Sequence, residues 1–268
     1  MNFKEKITLG RTGLRAGRLG ISSSFGAPAR AYEEAFERGC NYFTWGTFIK
    51  GRNKAMREAI KNIDAKGLRE DLIVSILSYA HSAYLTESSL VRGLKALGSG
   101  YADVLVLGYY SSPPPRRVLD GALKLKEKGL VRFIGITGHN RDIFPELRKE
   151  DLIDIFHVRY NAAHRGAEQD VFPYSGGENR PGVVTFTATR WGKLLDPKKM
   201  PPGEEPPTAV DCYRFVLSNP AVDVCMMGAK DAGQMRENLS LLETGVMNGE
   251  ELERMRRIGD HVYGKKKK

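Results

Sequence analysis

Short apolar runs alternate with helix-like stretches along most of the chain, and this alternation is the strongest constraint on its fold. Eight runs of strand length follow one another at 18–22, 41–45, 72–77, 104–107, 133–137, 155–159, 183–187 and 222–227. Amphipathic stretches typical of helices separate the earlier runs, at 31–38, 54–63, 86–97 (with Thr86 as the expected capping residue), 118–128 and 141–149. Apolar strands separated by helices indicate a parallel sheet that is covered on both faces.

The number of strands distinguishes two α/β architectures. Eight strands favour a closed (β/α)8 barrel, or TIM barrel, over an open doubly wound sheet, and no glycine-rich dinucleotide fingerprint follows the first strand. Residues 7–14 form two short apolar stretches around Gly10 and Gly13, which predict an N-terminal β-hairpin. We expect one barrel over residues 1–264, a proline-rich surface excursion at 197–207, and a disordered basic tail at 265–268.

Charge, hydropathy and cysteine content limit the classes of function. The net charge is +10, but four of these charges lie in the terminal lysine run, which argues against a nucleic-acid partner. The chain has no apolar run of membrane-spanning length and no signal-peptide pattern. The three cysteines, Cys40, Cys212 and Cys225, are widely separated and fit reduced packing residues better than a disulfide framework or a metal site. We therefore expect a cytoplasmic protein with a small-molecule partner, and neither membrane association nor a bound metal.

Several segments, in consistent order along the chain, resemble the aldo-keto reductase family. They are LGRTGL at 9–14, ERGCNYF at 37–43, LKEKGLVRFIGITGHN at 125–140 and MGAKDAGQMRENL at 227–239. The resemblance implies a barrel that binds NADPH and reduces a small carbonyl compound.

The usual catalytic side chains of that family have no counterpart here. Its reductases place an Asp and a Tyr after the second strand, a Lys after the third and a His after the fourth, so that the phenol donates a proton while the cofactor delivers hydride. The matching positions in this chain are Thr44, Phe48 or Ile49, Leu77 and Gly108. The resemblance therefore predicts atypical or weak carbonyl reduction.

Residues at the carboxyl ends of barrel strands face the active-site mouth, so strand ends supply the catalytic candidates. Strand alternation predicts that Gly108 and Tyr110 point inward together, as do His157 and Arg159. Tyr110 is the predicted proton donor, with His157 and Arg159 lowering its pKa, orienting the substrate or stabilising an oxyanion. The alternative is an aromatic wall and a charged residue that is satisfied by a neighbouring acid.

The next loop offers a further pair of candidates. His164 and Arg165 can bind a substrate carboxylate, or they can serve as helix caps and exposed residues. Tyr109 and His139 are also candidates by their positions at strand ends.

The cofactor residues follow from the resemblance and from helix-terminus chemistry. The segment after the eighth strand is similar to the family's adenosine-phosphate site, where backbone amides and a helix start bind phosphate. Lys230 and Arg236 would favour NADPH because its 2′-phosphate needs a cationic partner. Alternatively, the segment only caps the barrel. The predicted cofactor residues are Thr137, Asn161, Thr187, Arg190, Gly228, Lys230, Gln234 and Asn238.

Two hypotheses of function remain open at this stage. The first is an NADPH-binding aldo-keto reductase-like oxidoreductase with atypical or weak carbonyl-reducing activity. The second is a catalytically silent barrel that binds a small molecule or a protein partner.

Overall fold

A closed barrel of eight parallel strands forms the centre of the molecule. The structure is a computed structural model that describes residues 2–46 and 53–264. The expectations for Phe48, Ile49 and the basic tail therefore lie outside the described residues. Neighbouring strands pair in parallel in chain order, and the last barrel strand along the chain pairs with the first to close the circle. The barrel strands are β3 (Leu19–Ser22), β4 (Tyr42–Trp45), β5 (Ile73–Ser78), β6 (Ala102–Tyr110), β7 (Val131–Gly138), β8 (Ile155–Arg159), β9 (Gly182–Phe186) and β10 (Val224–Met227). The predicted (β/α)8 barrel is confirmed.

Helices cover the outside of the barrel. Their bounds are α1 (Ala29–Glu37), α2 (Lys54–Ala65), α3 (Ala83–Leu97), α4 (Arg116–Glu127), α5 (Ile143–Glu150), α6 (Ala167–Asp170), α7 (Ala209–Leu217), α8 (Ala232–Leu239) and α9 (Gly249–Gly264). The prediction that Thr86 caps the third of these is wrong. Ser82 is extended and accepts a hydrogen bond from the Leu85 amide, while the Thr86 hydroxyl donates to the Ala80 carbonyl oxygen. In the described part of the chain, no helix combines the length and apolarity needed to cross a membrane.

The predicted N-terminal hairpin seals the bottom of the barrel. Strands β1 (Ile7–Thr8) and β2 (Arg15–Ala16) pair antiparallel around a short 3₁₀ turn. Leu9 and Leu14 pack among inward-facing residues of several barrel strands, in a cluster distinct from the core between barrel and helices. Gly10 has a φ of +48°, and a Cβ added there would lie 2.2 Å from the Gly182 amide nitrogen. A larger residue at position 10 would therefore hold the hairpin away from the barrel.

Three buried carboxylates tie neighbouring strands together near the start of the strands. Asp103, Asp154 and Asp223 each accept a hydrogen bond from the amide of a residue on the preceding strand, at 2.8–2.9 Å. Each also has a cationic partner: Arg69 and Arg132 contact Asp103, Arg11 and Lys126 contact Asp154, and Arg180 contacts Asp223 through both oxygens. The carboxylates therefore satisfy backbone donors and neutralise cations at the closed end of the barrel.

A β-bulge in β6 changes which side chains reach the open end. Leu107 pairs with Ile136 and Tyr110 with Gly138, so the register shifts between these pairs. Tyr109 occupies the extra position and has a φ of +59°. The expectation that Gly108 and Tyr110 point inward together is therefore wrong. The bulge breaks the alternation and directs Tyr110 into the core between barrel and helices.

Candidate functional site

The carboxyl ends of the barrel strands surround a cavity of about 520 Å³, called the central cavity below. Its inner part includes Val106, His157 and Met226, and its rim carries exposed aromatic residues. None of the described residues that line it is Asp, Glu, Lys or Arg. The described lining is therefore neutral, unless one of its two histidines binds a proton.

Both histidines resist protonation. Burial lowers the pKa of His157 to about 3, while burial and the nearby charge of Arg159 lower the pKa of His139. His157 Nε2 lies 2.8 Å from the hydroxyl of Tyr42, inside the barrel. Burial also raises the pKa of the Tyr42 hydroxyl. At neutral pH this pair is an uncharged hydrogen-bonded unit whose histidine lines the cavity.

The buried His157 should make stability fall in mild acid. An unfolded histidine titrates near pH 6.5, whereas His157 in the folded protein stays neutral until about pH 3. Between these values the unfolded chain binds the extra proton, so the free energy of unfolding decreases by about 1.4 kcal/mol per pH unit. We expect His157 to contribute a loss of about 2 kcal/mol between pH 7 and pH 5, measured by urea unfolding.

A matched pair of variants tests this expectation. His157→Gln retains a polar group beside Tyr42 and should remove that part of the acid sensitivity, whereas the exposed His81→Gln should retain it. An equal pH slope in wild type and His157→Gln would contradict the assignment.

Two of the positions that lack the usual catalytic side chains border the central cavity. Thr44 and Leu77 line it. A Cβ added to Gly108 would lie 2.5 Å from a ring carbon of Tyr79 and 3.0 Å from the Ser78 carbonyl oxygen. The Tyr79 ring therefore fills the space that a side chain at position 108 would occupy.

Of the three predicted catalytic residues, the structure brings only His157 to the cavity. Tyr110 is buried in the core between barrel and helices, where its ring stacks on His81 with a centroid distance of 4.5 Å. Its hydroxyl is 3.4 Å from the Ala80 carbonyl oxygen. Arg159 lies in a different pocket, beside His164. The expected placement of Tyr110 and Arg159 in one site with His157 is therefore wrong.

Two residues without a defined predicted role are prominent at the site. Tyr109 lies at the cavity rim, with its ring 5.0 Å from Tyr79 and 4.8 Å from His139, in edge-to-face contacts. Tyr42 is the partner of His157. Strand alternation in 42–45 was a sufficient signal to place Tyr42 inward, but the bulge that exposes Tyr109 left no signal in the residue pattern.

Five of the eight predicted cofactor residues line the central cavity, and three do not. The five are Thr137, Thr187, Gly228, Gln234 and Asn238. Asn161 is buried beside the cavity, where its Nδ2 donates to the Thr187 carbonyl oxygen at 2.9 Å and its Oδ1 accepts from two amides of the next loop. Arg190 donates to the Val262 carbonyl oxygen, and Lys230 is exposed. Asn161 and Arg190 therefore hold the loops in place around the cavity.

The segment between β10 and α8 forms one wall of the cavity. A Cβ added to Gly228 would lie 1.9 Å from the Phe25 ring, so that ring packs directly on the glycine backbone. Asn238 Nδ2 donates to the Gly228 carbonyl oxygen at 3.2 Å, whereas its Oδ1 is buried and has no hydrogen-bond partner among residues 2–46 and 53–264. Asp231 caps α8 by accepting from the Gln234 amide. Arg236, a predicted cationic partner of the 2′-phosphate, instead pairs with Glu34 through both carboxylate oxygens.

The loop after β9 holds an unusual backbone conformation at the cavity. Thr187, Arg190 and Trp191 have φ values of +61°, +51° and +52°, in the left-handed region that is uncommon for residues other than glycine. The loop is held there by the bond from Asn161 to Thr187 and by the Arg190 amide, which donates to the Thr187 carbonyl oxygen at 2.9 Å. Trp191 consequently lies at the mouth, 64% exposed. Such strain concentrates at ligand sites.

Comparison with solved structures identifies the class of fold. Two structures of an aldo-keto reductase from Bacillus halodurans, in the holo and apo forms, match with TM-scores of 0.79 and 0.76. Each is 19% identical and covers 95% of this chain, corresponding to 96% and 95% of those chains. The chain therefore has the aldo-keto reductase fold, which confirms at the level of the fold the resemblance that the sequence motifs indicated.

A plant dehydrogenase is similar along most of the sequence. L-galactose dehydrogenase from Arabidopsis thaliana is 24% identical over an alignment 281 residues long. The alignment covers 88% of this chain and 87% of that protein. No family model matches the chain.

Proposed function

We propose that this protein is an oxidoreductase of the aldo-keto reductase family that binds NADPH in the central cavity and reduces carbonyl compounds weakly or by an atypical route. The similarity to L-galactose dehydrogenase and the shared fold support the oxidoreductase class. The cavity also has a size suited to small ligands.

The unsatisfied oxygen of Asn238 is the observation that carries the cofactor proposal. A buried carbonyl oxygen without a donor costs about 1–3 kcal/mol, so its persistence suggests a ligand that supplies the donor. The exocyclic amino group of adenine is such a donor. Asn238 and Gln234 would hold the adenosine end, and Thr187 and Gly228 the middle of the dinucleotide, with Thr137 near the nicotinamide.

The chain's own residues define what chemistry this site favours. When bound, the nicotinamide would supply hydride. His157 offers a neutral hydrogen-bonding group to a substrate oxygen, and Tyr42 fixes its orientation. Because no described lining side chain is charged, the charge that develops on a carbonyl oxygen would be poorly stabilised.

The same neutral lining supports a second candidate, a silent barrel that binds a small uncharged molecule. The aromatic rim of Tyr79, Tyr109 and Trp191 offers stacking surfaces to either kind of ligand. Nucleotide binding distinguishes the two candidates.

Nucleotide titration of the intact protein tests the proposal. Trp45 is buried and Trp191 lies at the cavity mouth, so NADPH is expected to quench fluorescence from Trp191, and Trp191→Phe should remove most of the response. Lys230→Glu should weaken NADPH binding about tenfold or more, and NADH binding less, because only NADPH carries the 2′-phosphate.

The exposed Lys95→Glu on α3 is the matched control and should leave both affinities unchanged. Equal weakening of NADPH and NADH by Lys230→Glu would remove Lys230 from the phosphate site. Failure of wild type to bind either nucleotide, by calorimetry as well as by fluorescence, would overturn the cofactor proposal.

A further inference from the structure

A second pocket, called the arginine pocket below, lies between the β8–α6 connection and α9. Its volume is about 620 Å³. Among the described residues, the arginine pocket is lined by the basic side chains Arg141, Arg159, His164, Arg165 and Arg256 and by two carboxylates, Glu168 and Asp260. None of its lining residues also lines the central cavity. It is therefore a separate site whose lining carries more positive than negative side chains.

Three of the four arginines are held by carboxylates. Arg141 Nε lies 2.6 Å from Asp170, and Arg165 Nη2 lies 2.7 Å from Asp260. Arg256 contacts both oxygens of Glu168 at 3.2 Å, and the Tyr160 hydroxyl also donates to Glu168 at 2.6 Å. These ion pairs fix the walls of the arginine pocket. They also engage both of its lining carboxylates, Glu168 and Asp260.

Arg159 is the exception. It is half-buried at the end of β8 and forms no ion pair or hydrogen bond with the residues at 2–46 and 53–264. The groups around it are cationic as well. The pKa of His164 is lowered to about 4 by burial and by the positive charges of Arg159, Arg190, Arg141 and Lys193. A fold that holds an unpaired guanidinium among other cations bears an electrostatic cost that an anion would relieve.

We infer that the arginine pocket binds the phosphate or carboxylate group of a small molecule, with the unpaired guanidinium of Arg159 as its principal contact. Guanidinium binds both oxyanions through paired N–H donors. Arg141, Arg165 and Arg256 keep their own carboxylate partners and fix the walls around this contact. This site is additional to the proposed nucleotide site and does not depend on it.

The packing around the arginine pocket holds its side chains in fixed positions. A Cβ added to Gly166 would lie 2.3 Å from the Arg141 guanidinium, so glycine at that position allows the arginine to lie across the backbone. The His164 ring packs edge-on against Tyr263 at 5.5 Å, and its Nδ1 lies 3.3 Å from Asn161 Oδ1. His164 is thereby fixed beside Arg159 as a reporter of pocket occupancy.

Titration with inorganic phosphate and with succinate tests the inference at pH 7 and constant ionic strength. The NMR signal of the His164 ring, assigned with a His164→Gln variant, should shift saturably with at least one anion. The anion that binds more tightly shows whether the arginine pocket prefers a phosphate or a carboxylate group. Arg159→Gln should raise the dissociation constant of that anion about tenfold or more. Arg159→Lys keeps the charge but loses the paired N–H donors of the guanidinium, so it should give a smaller increase.

Arg117→Gln, at an exposed arginine of α4, makes the same charge change elsewhere and should leave the dissociation constant unchanged. Circular dichroism and the melting temperature establish that each variant is folded. The inference is overturned if neither anion gives a saturable shift in wild type, or if folded Arg159→Gln binds as tightly as wild type. An equal loss of affinity in Arg117→Gln and Arg159→Gln would mean that the change in net charge alone explains the effect. That result would also overturn the inference.

Discussion

Wild-type protein supplied with NADPH is expected to reduce simple aldehydes about 10²–10⁴-fold more slowly than an aldo-keto reductase assayed in parallel. That factor corresponds to the loss of general acid catalysis. Thr44 and Leu77 line the cavity where the family resemblance places an Asp and a Lys, and the Tyr79 ring fills the space beside Gly108. Steady-state turnover of several aldehydes, with nucleotide oxidation followed by absorbance, gives the measurement.

The Tyr110→Phe variant shows whether any slow turnover uses the Tyr110 hydroxyl as proton donor or proceeds without it. Because Tyr110 lies in the core between barrel and helices, we expect its hydroxyl to contribute nothing to the rate. A large loss in Tyr110→Phe would restore Tyr110 as the proton donor and contradict the geometry. Turnover by wild type at the rate of the parallel reductase would contradict the proposal of a weakened site.

Replacing Asp103 with alanine is expected to lower the free energy of unfolding by about 3–5 kcal/mol. Asp103 accepts hydrogen bonds from Arg69 Nη1 and from the Val74 amide, both at 2.9 Å, and from Arg132 Nη1 at 3.0 Å. Its removal leaves the buried guanidinium of Arg69 without a counter-charge and the Val74 amide without an acceptor. Urea unfolding, with midpoints and slopes compared between variants, measures the change.

The matched control removes a carboxylate whose ion pair is exposed. Asp120 contacts Arg116 at 2.8 Å one helical turn away on α4, and Asp120→Ala should cost about 0.3–0.5 kcal/mol. A loss below about 1 kcal/mol in Asp103→Ala would mean that water or neighbouring groups replace the carboxylate, and the proposed role of the three buried carboxylates would be wrong.

The barrel was predictable because its strands are apolar on both faces. Runs such as 72–77 and 104–107 can be buried only between a packed interior and covering helices, so their number and order were enough to predict the architecture. The hairpin likewise followed from glycines between two short apolar stretches.

The central site was less predictable because one backbone irregularity rearranges it. Regular alternation places Tyr110 inward, but the bulge at Gly108 and Tyr109 exchanges the two tyrosines. His157 was predicted to face the cavity and does so, since β8 is regular and pairs with both of its neighbours without a shift.

The arginine pocket depends on contacts between distant parts of the chain. Asp260 and Arg256 come from α9, about a hundred residues beyond Arg159, and nothing in the local pattern indicates that α9 packs beside the β8–α6 connection. The ion pairs that leave Arg159 unpaired could therefore be recognised only in the folded structure.

The N-terminal hairpin also constrains the order in which two ligands can share the central cavity. With Leu9 and Leu14 packed into the lower end of the barrel, the mouth near Trp191 is the route left by the described residues. If the proposed dinucleotide and a second molecule stack along the barrel axis, they must then enter one after the other. The deeper ligand enters first and departs last, so steady-state kinetics with both should be compulsory-ordered, and the second molecule alone should form only dead-end complexes.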